Sequence, residues 1–328
     1  MTDALQASSE ARMRSRDPAE TPIRYVCMPG SPYTGSTLLG FLLDMHPAFA
    51  SIGAATGLTL GVDIETYRCS CGALFRECDF WSGVARRTAE LGHPVTVYGN
   101  DYWNTHVRVS RRRWLNGVLI RSLGSVPLTA ARDAVIGRLG PIRRTMAEAR
   151  TSTWSLARAV LEATGKTVFV DTARDHQRPK YLMANPSLDV KVIHLVRDVR
   201  GNAASIVRHT SVDIRKAAGQ WRHYNLEADR VRQLLPVRSW MRLHYEDLCR
   251  DPQGTLDRIS RFVGVAPAPL VGDLQTVDHH VIGNSMRLRG IGEIREDRSW
   301  REALDEDDLR TIARVAGSAS HRLGYDWP

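Results

Sequence analysis

Long apolar runs are missing from this 328-residue sequence, although hydrophobic residues make up 43% of it. No run of about 18 apolar residues occurs, so we expect no membrane-spanning helix. The first 20 residues also lack the apolar centre of a secretory signal peptide. We therefore expect a disordered leading segment over residues 1–22, a single domain over residues 23–328 and a cytoplasmic location.

Acidic residues are scarce between Thr105 and Val160, where eleven arginines are accompanied only by Asp133 and Glu148. The whole chain carries a formal charge of +9. This excess suggests an anionic partner, which could be nucleic acid, an acidic membrane surface or a phosphorylated or sulfated small molecule. Solvated faces of amphipathic helices would give the same pattern.

Cysteines are also few: the sequence contains five, and three of them are clustered as Cys69, Cys71 and Cys78. The spacing C-x-C-x6-C resembles part of a zinc site, but no convincing fourth ligand lies nearby in the sequence. A zinc site, a local disulfide and simple burial are therefore all open interpretations of this cluster.

Four short β-rich runs are present, at residues 23–28, 166–171, 190–196 and 239–245. Three of them are nearly continuous in apolar residues, which is typical of parallel strands buried on both faces. Because helical patterns alternate with these runs, the sequence predicts a P-loop-like α/β fold with three layers, in which helices flank a central parallel sheet. Residues from about 81 to 164 have few strand patterns, and we expect a helical insertion there, on the substrate side.

The stretch PGSPYTGSTLL connects the first predicted strand to a helix. Such a turn directs several backbone amides and the positive end of the helix dipole at one point. Here the donors would be the amides of Thr34 to Leu38 and the hydroxyls of Ser36 and Thr37. The Lys that follows the Gly of a nucleoside-triphosphatase loop is missing, because Ser36 follows Gly35. An ordinary turn capped by Ser36 or Thr37 is the alternative.

Two later segments carry side chains that suit a phosphate. Arg197 directly follows the third predicted strand, and Ser205 is eight residues further on, so a guanidinium and a hydroxyl could converge on one phosphate. Arg287 and Arg289 precede Gly290 in a stretch with few apolar residues, which could form a second clamp. A structural ion pair and a solvated loop are the respective alternatives.

In this order and spacing, these segments resemble the cofactor-binding segments of the sulfotransferases that use 3′-phosphoadenosine 5′-phosphosulfate (PAPS). SPYTGSTLL resembles the family's loop for the 5′-phosphosulfate. VRDVRGNAAS resembles its segment for the 3′-phosphate, and RLRG is similar to the late basic loop that closes on the same phosphate. Residues 243–265 also resemble the family, whose tyrosine at the position of Tyr245 lies beside the adenine.

The resemblance implies transfer of a sulfuryl group from PAPS to a hydroxyl, or less readily an amine, of a small-molecule acceptor such as a natural product or carbohydrate. The product nucleotide would be 3′,5′-adenosine bisphosphate (PAP), and neither a metal nor a nucleic-acid partner is implied. The arginine-rich insertion favours an anionic or sugar-containing acceptor. The implied donor-binding residues are Tyr33, Thr34, Gly35, Ser36, Thr37, Leu38, Arg197, Ser205, Tyr245, Arg287, Arg289 and Gly290.

The resemblance also accounts for the missing Lys, because the family holds the phosphosulfate largely through backbone amides and needs no metal to bridge two phosphates. Two other functions remain open. A phosphotransferase could use the same loop architecture, but it would require magnesium and a Lys that is not present here. A non-catalytic descendant could bind the nucleotide without transferring its sulfuryl group.

The sequence departs from the family at the position two residues before Gly35, where Tyr33 replaces a Lys or Arg that touches the sulfuryl group. A phenol can donate one hydrogen bond but carries no positive charge near neutral pH. The cation would then come from Arg174, which matches a family Lys after the second predicted strand. Alternatively Tyr33 points away and only its backbone contributes.

The family's usual base, a Glu after a Gly, is also missing, because Ala54 follows Gly53. Histidine suits this role, since its ordinary pKa is close to neutral. The replacement candidates are Asp63, Glu65, His106 and His176. We predict Arg174, His176 and Tyr33 as catalytic residues, although an acidic phenol or an amine as acceptor would need no strong base.

Overall fold

The structure is a computed structural model that describes residues 21–58, 62–99, 101–110, 112–270, 280–283, 288 and 293–326. Its sheet contains five strands: β1 Ile23–Cys27, β2 Phe49–Ser51, β3 Val168–Asp171, β4 Leu188–Val196 and β5 Trp240–His244. All neighbours pair in parallel, in the order β2-β3-β1-β4-β5. The predicted parallel α/β sheet is therefore confirmed. Strand β2 was not predicted, because three residues are too few to produce a recognisable pattern.

Helices lie in the connections between the strands and after the last strand. They are α1 Ser36–Asp44, α2 Asp79–Glu90, α3 Arg113–Ile120, α4 Val126–Ile136, α5 Gly140–Thr164, α6 Arg178–Leu182, α7 Val199–His209, α8 Ile214–Arg232, α9 Tyr245–Arg250, α10 Pro252–Val263, α11 Trp300–Ala303 and α12 Glu306–Arg322. Among the described residues, no helix combines the length and the apolar character needed to cross a membrane.

The sheet buries apolar side chains on both faces, which produces the three layers. On one face, Tyr25 and Phe169 belong to a cluster with Trp81 from α2 and Leu156 from α5. On the other face, alternate strand residues pack with the apolar side of α1 and with α10. A third cluster lies between α7, α8 and α12, around the fully buried Trp221. Each large side chain buried in this way contributes about 1.5–3 kcal/mol to stability.

The strand order determines where a ligand can bind. The chain leaves β1 towards β2 on one side of the sheet and leaves β4 towards β5 on the other side, although β1 and β4 are neighbours. In open α/β sheets, ligands bind at such a switch point, outside the carboxyl ends of the strands. The loops after β1 and β4 are the two that meet there.

Candidate functional site

The loop after β1 has an unusual backbone. Gly35 caps the start of α1 with φ 91°, in the left-handed region, and it has no side chain to satisfy the first amides of the helix. A Cβ atom at this position would lie 2.6 Å from Cδ2 of Tyr245, so only glycine fits. Tyr33 also has a positive φ, 61°, which is uncommon for a bulky residue. Strain of this kind is typical of functional loops.

Asn202 from α7 holds this loop in place. Its Nδ2 donates to the carbonyl of Pro32 (2.7 Å), and its Oδ1 accepts from the hydroxyl of Ser31 (3.1 Å). The hydroxyl of Thr34 donates to the carbonyl of Ser31 (3.1 Å), which closes the turn. Our sequence analysis did not single out Asn202. The sequence feature that could have identified it is an asparagine among the apolar and small residues on the buried side of α7.

Arg197 connects the loop after β4 to the loop after β1. Its Nη1 donates to the carbonyl of Tyr33 (3.1 Å) and to the hydroxyl of Ser205 (3.2 Å). The guanidinium also lies over the Tyr245 ring, 4.7 Å from the ring centroid. The structure thus brings together Tyr33, Gly35, Arg197, Ser205 and Tyr245, all of which the sequence predicted as donor-binding residues.

Asp297 occupies the second side of the Arg197 guanidinium, where Nη2 donates to its Oδ2 at 3.2 Å and to its carbonyl at 3.3 Å. Burial alone would raise the pKa of this carboxyl, but hydrogen bonds from Ser299 and the charge of Arg197 outweigh burial and lower it. The carboxylate is therefore ionised near neutral pH. The predicted residues Arg287, Arg289 and Gly290 lie outside the described residues.

The two residues predicted to meet the sulfuryl group differ in environment. The ring of Tyr33 is half-buried and stacks on His209 of α7, with centroids 5.3 Å apart and planes 14° apart. Arg174 is exposed, three residues after β3, and has no ion pair within the part of the chain that the structure describes. Arg174 is thus a cation at the carboxyl edge of the sheet.

Asp171, the last residue of β3, organises the segments beside the loop. Its carboxylate accepts from Nε of Arg178 (2.5 Å) and from the hydroxyl of Tyr25 (2.7 Å). It also accepts from the backbone amides of Ala55 (2.9 Å) and Ala173 (2.8 Å). One buried carboxylate therefore fixes both the segment that contains Ala54 and the segment that leads to Arg174. The sequence analysis missed this role, because an Asp at a strand end does not reveal its partners.

The predicted catalytic residue His176 is buried. Burial lowers its pKa to about 3, and its ring packs beside Tyr224, with centroids 5.0 Å apart. This environment disfavours His176 as a base. Asp63 and Glu65 are exposed and engaged locally, since Asp63 accepts from the amide of Glu65 (3.1 Å) and Glu65 pairs with Arg76 (2.8 Å).

His106 has a different setting. Its Nδ1 lies 3.6 Å from Oδ2 of Asp175, the residue after Arg174. Burial lowers the pKa of His106 below its ordinary value, and the Asp175 carboxylate partly opposes this shift. The segment that carries His106 packs beside the position of the missing Glu, because the hydroxyl of Thr105 donates to the carbonyl of Ala55 (2.5 Å).

His106 also lines a cavity of about 620 Å³ between the segment 92–108 and α5. Its wall carries charge of both signs, from Arg108 and Arg144 and from Asp101 and Glu148, and Arg108 pairs with Asp101 at 2.5 Å. Aromatic and hydroxyl-bearing side chains such as Tyr102 and Thr151 complete it. Ligand pockets for small organic molecules have volumes in this range. The cavity is therefore large enough for a small acceptor.

The loop around Gly35, with Arg197 and Ser205 at the neighbouring strand end, defines a P-loop-like α/β protein with free helix amides and a guanidinium at the carboxyl edge of its sheet. A profile described as "Sulfotransferase family" matches residues 131–269. The resemblance stated from the sequence is confirmed for this region, which is similar to the sulfotransferase family.

Two curated relatives are similar to part of the chain. Mouse carbohydrate sulfotransferase 5 is 27% identical and mouse carbohydrate sulfotransferase 4 is 29% identical, each over 44% of this chain. The aligned region also spans 44% of each relative's own length, which is less than half. Among solved structures, the sulfotransferase domain from the curacin biosynthetic pathway superposes with a TM-score of 0.51 at 16% identity, over 94% of this chain and 99% of that domain. This likeness supports the fold.

Proposed function

We propose that the chain is an enzyme that transfers a sulfuryl group from PAPS to a hydroxyl of a carbohydrate or other natural product. The observation that carries this proposal is the convergence of Arg197, Ser205 and Tyr245 on the loop around Gly35. A nucleotide with phosphates at two positions needs hydrogen-bond donors for each phosphate and an apolar surface for its base. A guanidinium, a hydroxyl, the start of a helix and an aromatic ring provide these groups.

The residues at this edge suit the donor. The uncapped amides at the start of α1, with the hydroxyls of Ser36 and Thr37, would hold the 5′-phosphosulfate. Arg197 and Ser205 would hold the 3′-phosphate, and Tyr245 would contact the adenine. When bound, PAPS supplies the activated sulfuryl group. Arg287, Arg289 and Gly290 remain predictions from the sequence as the second clamp.

The sulfuryl group needs positive charge, which we assign to Arg174. Tyr33 would contribute through its backbone, because its ring stacks on His209 and its carbonyl is already bonded to Arg197. Arg174 is supported by its exposed position after β3, beside the loop that follows β1. A guanidinium there would stabilise charge that develops on the sulfuryl oxygens.

The base, in this proposal, is His106 in place of His176. Asp175 would accept a hydrogen bond from Nδ1–H of His106, which leaves Nε2 free to take the proton of the acceptor hydroxyl. The separation of 3.6 Å is longer than a hydrogen bond, and such contacts often tighten only when substrate is present. The deprotonated oxygen would then form the bond to sulfur as the bond from sulfur to the phosphate oxygen breaks.

The acceptor would occupy the cavity that His106 lines, under the helices of residues 79–164. The names of the mouse relatives point to carbohydrate acceptors, and the mixture of charged, hydroxyl-bearing and aromatic side chains in the cavity wall would suit a sugar. The insertion boundary at residues 81–164 and the cytoplasmic location remain predictions from the sequence.

Calorimetry with PAP in excess chelator is the direct test of this function. We expect saturable binding at one site without added magnesium, whereas a phosphotransferase would require the metal and a triphosphate. Absence of PAP binding would refute the proposal. Turnover against a panel of sugars, phenols and amines then separates an enzyme from a non-catalytic descendant, which would bind PAP but sulfate none of them.

The variant Arg197→Ala should bind PAP about 10- to 150-fold more weakly, because one charge-assisted hydrogen-bonding group contributes about 1.5–3 kcal/mol. Arg197→Lys should recover only part of this loss, since an ammonium cannot reproduce the fork. The dissociation constant is measured by calorimetry, with the exposed Arg215→Ala of α8 as the control. An affinity equal to that of the wild type would remove Arg197 from the donor site.

The variant Arg174→Ala should reduce kcat by about 100- to 1,000-fold and change PAP affinity by less than a factor of about 3, because the guanidinium acts on charge present only during transfer. Arg174→Lys should retain part of the rate, since it keeps the positive charge. Single-turnover rates and PAP dissociation constants are measured side by side. If the affinity falls and the rate at saturation does not, Arg174 belongs to nucleotide binding.

A further inference from the structure

Four side chains outside the donor site converge on one point. The ligand atoms of Cys69, Cys71, Cys78 and His280 all lie within 4.8 Å of one another. The Cys71 and Cys78 sulfurs are 3.7 Å apart. His280 Nδ1 is 3.5 Å from the sulfur of Cys78 and 3.8 Å from that of Cys69.

Three of these separations are close to the edge lengths expected for a metal-centred tetrahedron. With Zn–S bonds of about 2.3 Å and a Zn–N bond of about 2.0–2.1 Å, tetrahedral geometry gives sulfur–sulfur edges of about 3.8 Å and sulfur–nitrogen edges of about 3.5 Å. The three separations given above agree with these edges to within about 0.3 Å. A disulfide would require about 2.05 Å between two sulfurs, far less than the 3.7 Å here, and all five cysteines are free.

The local structure holds each ligand in place. Cys69 begins a tight turn, in which the amide of Gly72 donates to its carbonyl (3.0 Å) and Gly72 has φ 89°. Cys78 occupies the N-cap position of α2, so the start of this helix fixes its backbone. The His280 ring stacks on Phe80, with centroids 4.3 Å apart and planes 2° apart. The imidazole is thereby oriented towards the sulfurs.

We propose that Cys69, Cys71, Cys78 and His280 bind one Zn²⁺ ion as a structural site. Three thiolates and an imidazole select zinc over magnesium and calcium, which prefer oxygen ligands. Four protein ligands leave no open position for water or substrate, so the ion has no part in the transfer reaction. This inference does not depend on the proposed sulfotransferase activity.

The ion would fasten residues 280–283 to the edge of the sheet. In that segment, the amide of Val281 donates to the Ser70 hydroxyl (2.7 Å) and the amide of Ile282 donates to the carbonyl of Ile52 (2.9 Å). Ile282 also forms a parallel bridge with Gly53, where a Cβ atom would lie 1.9 Å from the Ile282 carbonyl oxygen. The site thus links the cysteine turn to the segment that precedes Ala54.

Metal titration of the untagged, reduced and chelator-treated chain tests the proposal. We expect one equivalent of Zn²⁺ to bind in competition with a chromophoric chelator, and Co²⁺ to give the visible absorption of a tetrahedral thiolate site. His280→Ala and Cys71→Ser should each weaken Zn²⁺ binding by more than about 100-fold, since even outer-shell changes cost 10- to 100-fold. Cys249→Ala should bind like the wild type, because this free, buried cysteine lies outside the cluster.

Thermal unfolding provides a second readout if Cys71→Ser does not fold. Zn²⁺ should raise the Tm of the wild type and of Cys249→Ala but not that of His280→Ala. Less than half an equivalent of Zn²⁺ on the fully reduced wild type would overturn the proposal. Equal Zn²⁺ affinity in His280→Ala and the wild type would also overturn it, as would a chelator-insensitive Cys71–Cys78 disulfide in the protein as purified.

Discussion

Replacing Asp171 with asparagine is expected to lower the free energy of unfolding by about 3–5 kcal/mol, because the variant leaves the charge of Arg178 buried without a partner. Both side chains are 1% exposed, and the guanidinium Nε is 2.5 Å from the carboxylate. The same carboxylate accepts hydrogen bonds from the Tyr25 hydroxyl and from two backbone amides. In the asparagine variant these buried donors no longer have a charged acceptor. Urea unfolding of the purified variant measures the change.

Asp307→Asn is the matched control, since Asp307 forms an exposed pair with Arg310 at 2.6 Å on α12. Exposed pairs contribute less than about 1 kcal/mol. The double variant Asp171→Leu with Arg178→Met should recover part of the loss, because it removes both charges together. A destabilisation of Asp171→Asn below about 1 kcal/mol would contradict the role of this carboxylate as the centre of the site.

Replacing His106 with glutamine should reduce kcat by about 100- to 10,000-fold, the range for loss of a general base. In the proposed mechanism the unprotonated imidazole is the active form, and the pKa of His106 lies below 6.5, the ordinary value for histidine. The wild-type rate should therefore be constant near neutral pH and fall as the pH drops through this pKa. Steady-state rates across the pH range, with the best acceptor from the panel, provide the measurement.

Asp175→Asn separates the base from its supporting carboxylate. Burial lowers the pKa of His106 and Asp175 opposes that shift, so removing the carboxylate charge should lower the pKa further. The acid limb of the profile should move to lower pH, and the plateau should fall because the imidazole is less well oriented. His176→Gln is the matched control and should keep the wild-type profile. If kcat falls in His176→Gln and is unchanged in His106→Gln, His176 is the base and His106 is not.

Most of the sheet and much of the donor edge could be predicted from the sequence. Buried parallel strands are continuous apolar runs, so four of the five strands could be recognised. Arg197 and the loop around Gly35 could be paired because side chains after parallel strands meet at the same edge of the sheet. The burial of His176 could not be predicted, however, since its packing beside Tyr224 depends on where α8 lies.

The residues that the sequence did not identify have partners distant along the chain. His280 lies 202 residues after Cys78, so the cysteine cluster lacked a visible fourth ligand. Asn202 reaches Pro32 across 170 residues, and Tyr25 reaches Asp171 across 146. Such pairings can be predicted only when the sheet order is known. Local sequence patterns indicate which face of a helix or strand is buried but not which residues pack against it.

The contact between Arg197 and Asp297 has a consequence for selectivity. The Asp297 carboxylate already interacts with one side of the Arg197 guanidinium. The binding free energy of an anion at this guanidinium therefore depends on how much more strongly the anion is attracted than Asp297. A weak monoanion such as chloride gains almost nothing by this exchange, whereas a phosphate dianion with several acceptor oxygens gains a great deal. At the proposed donor site, we therefore expect this pair to favour a phosphate dianion over abundant monoanions such as chloride.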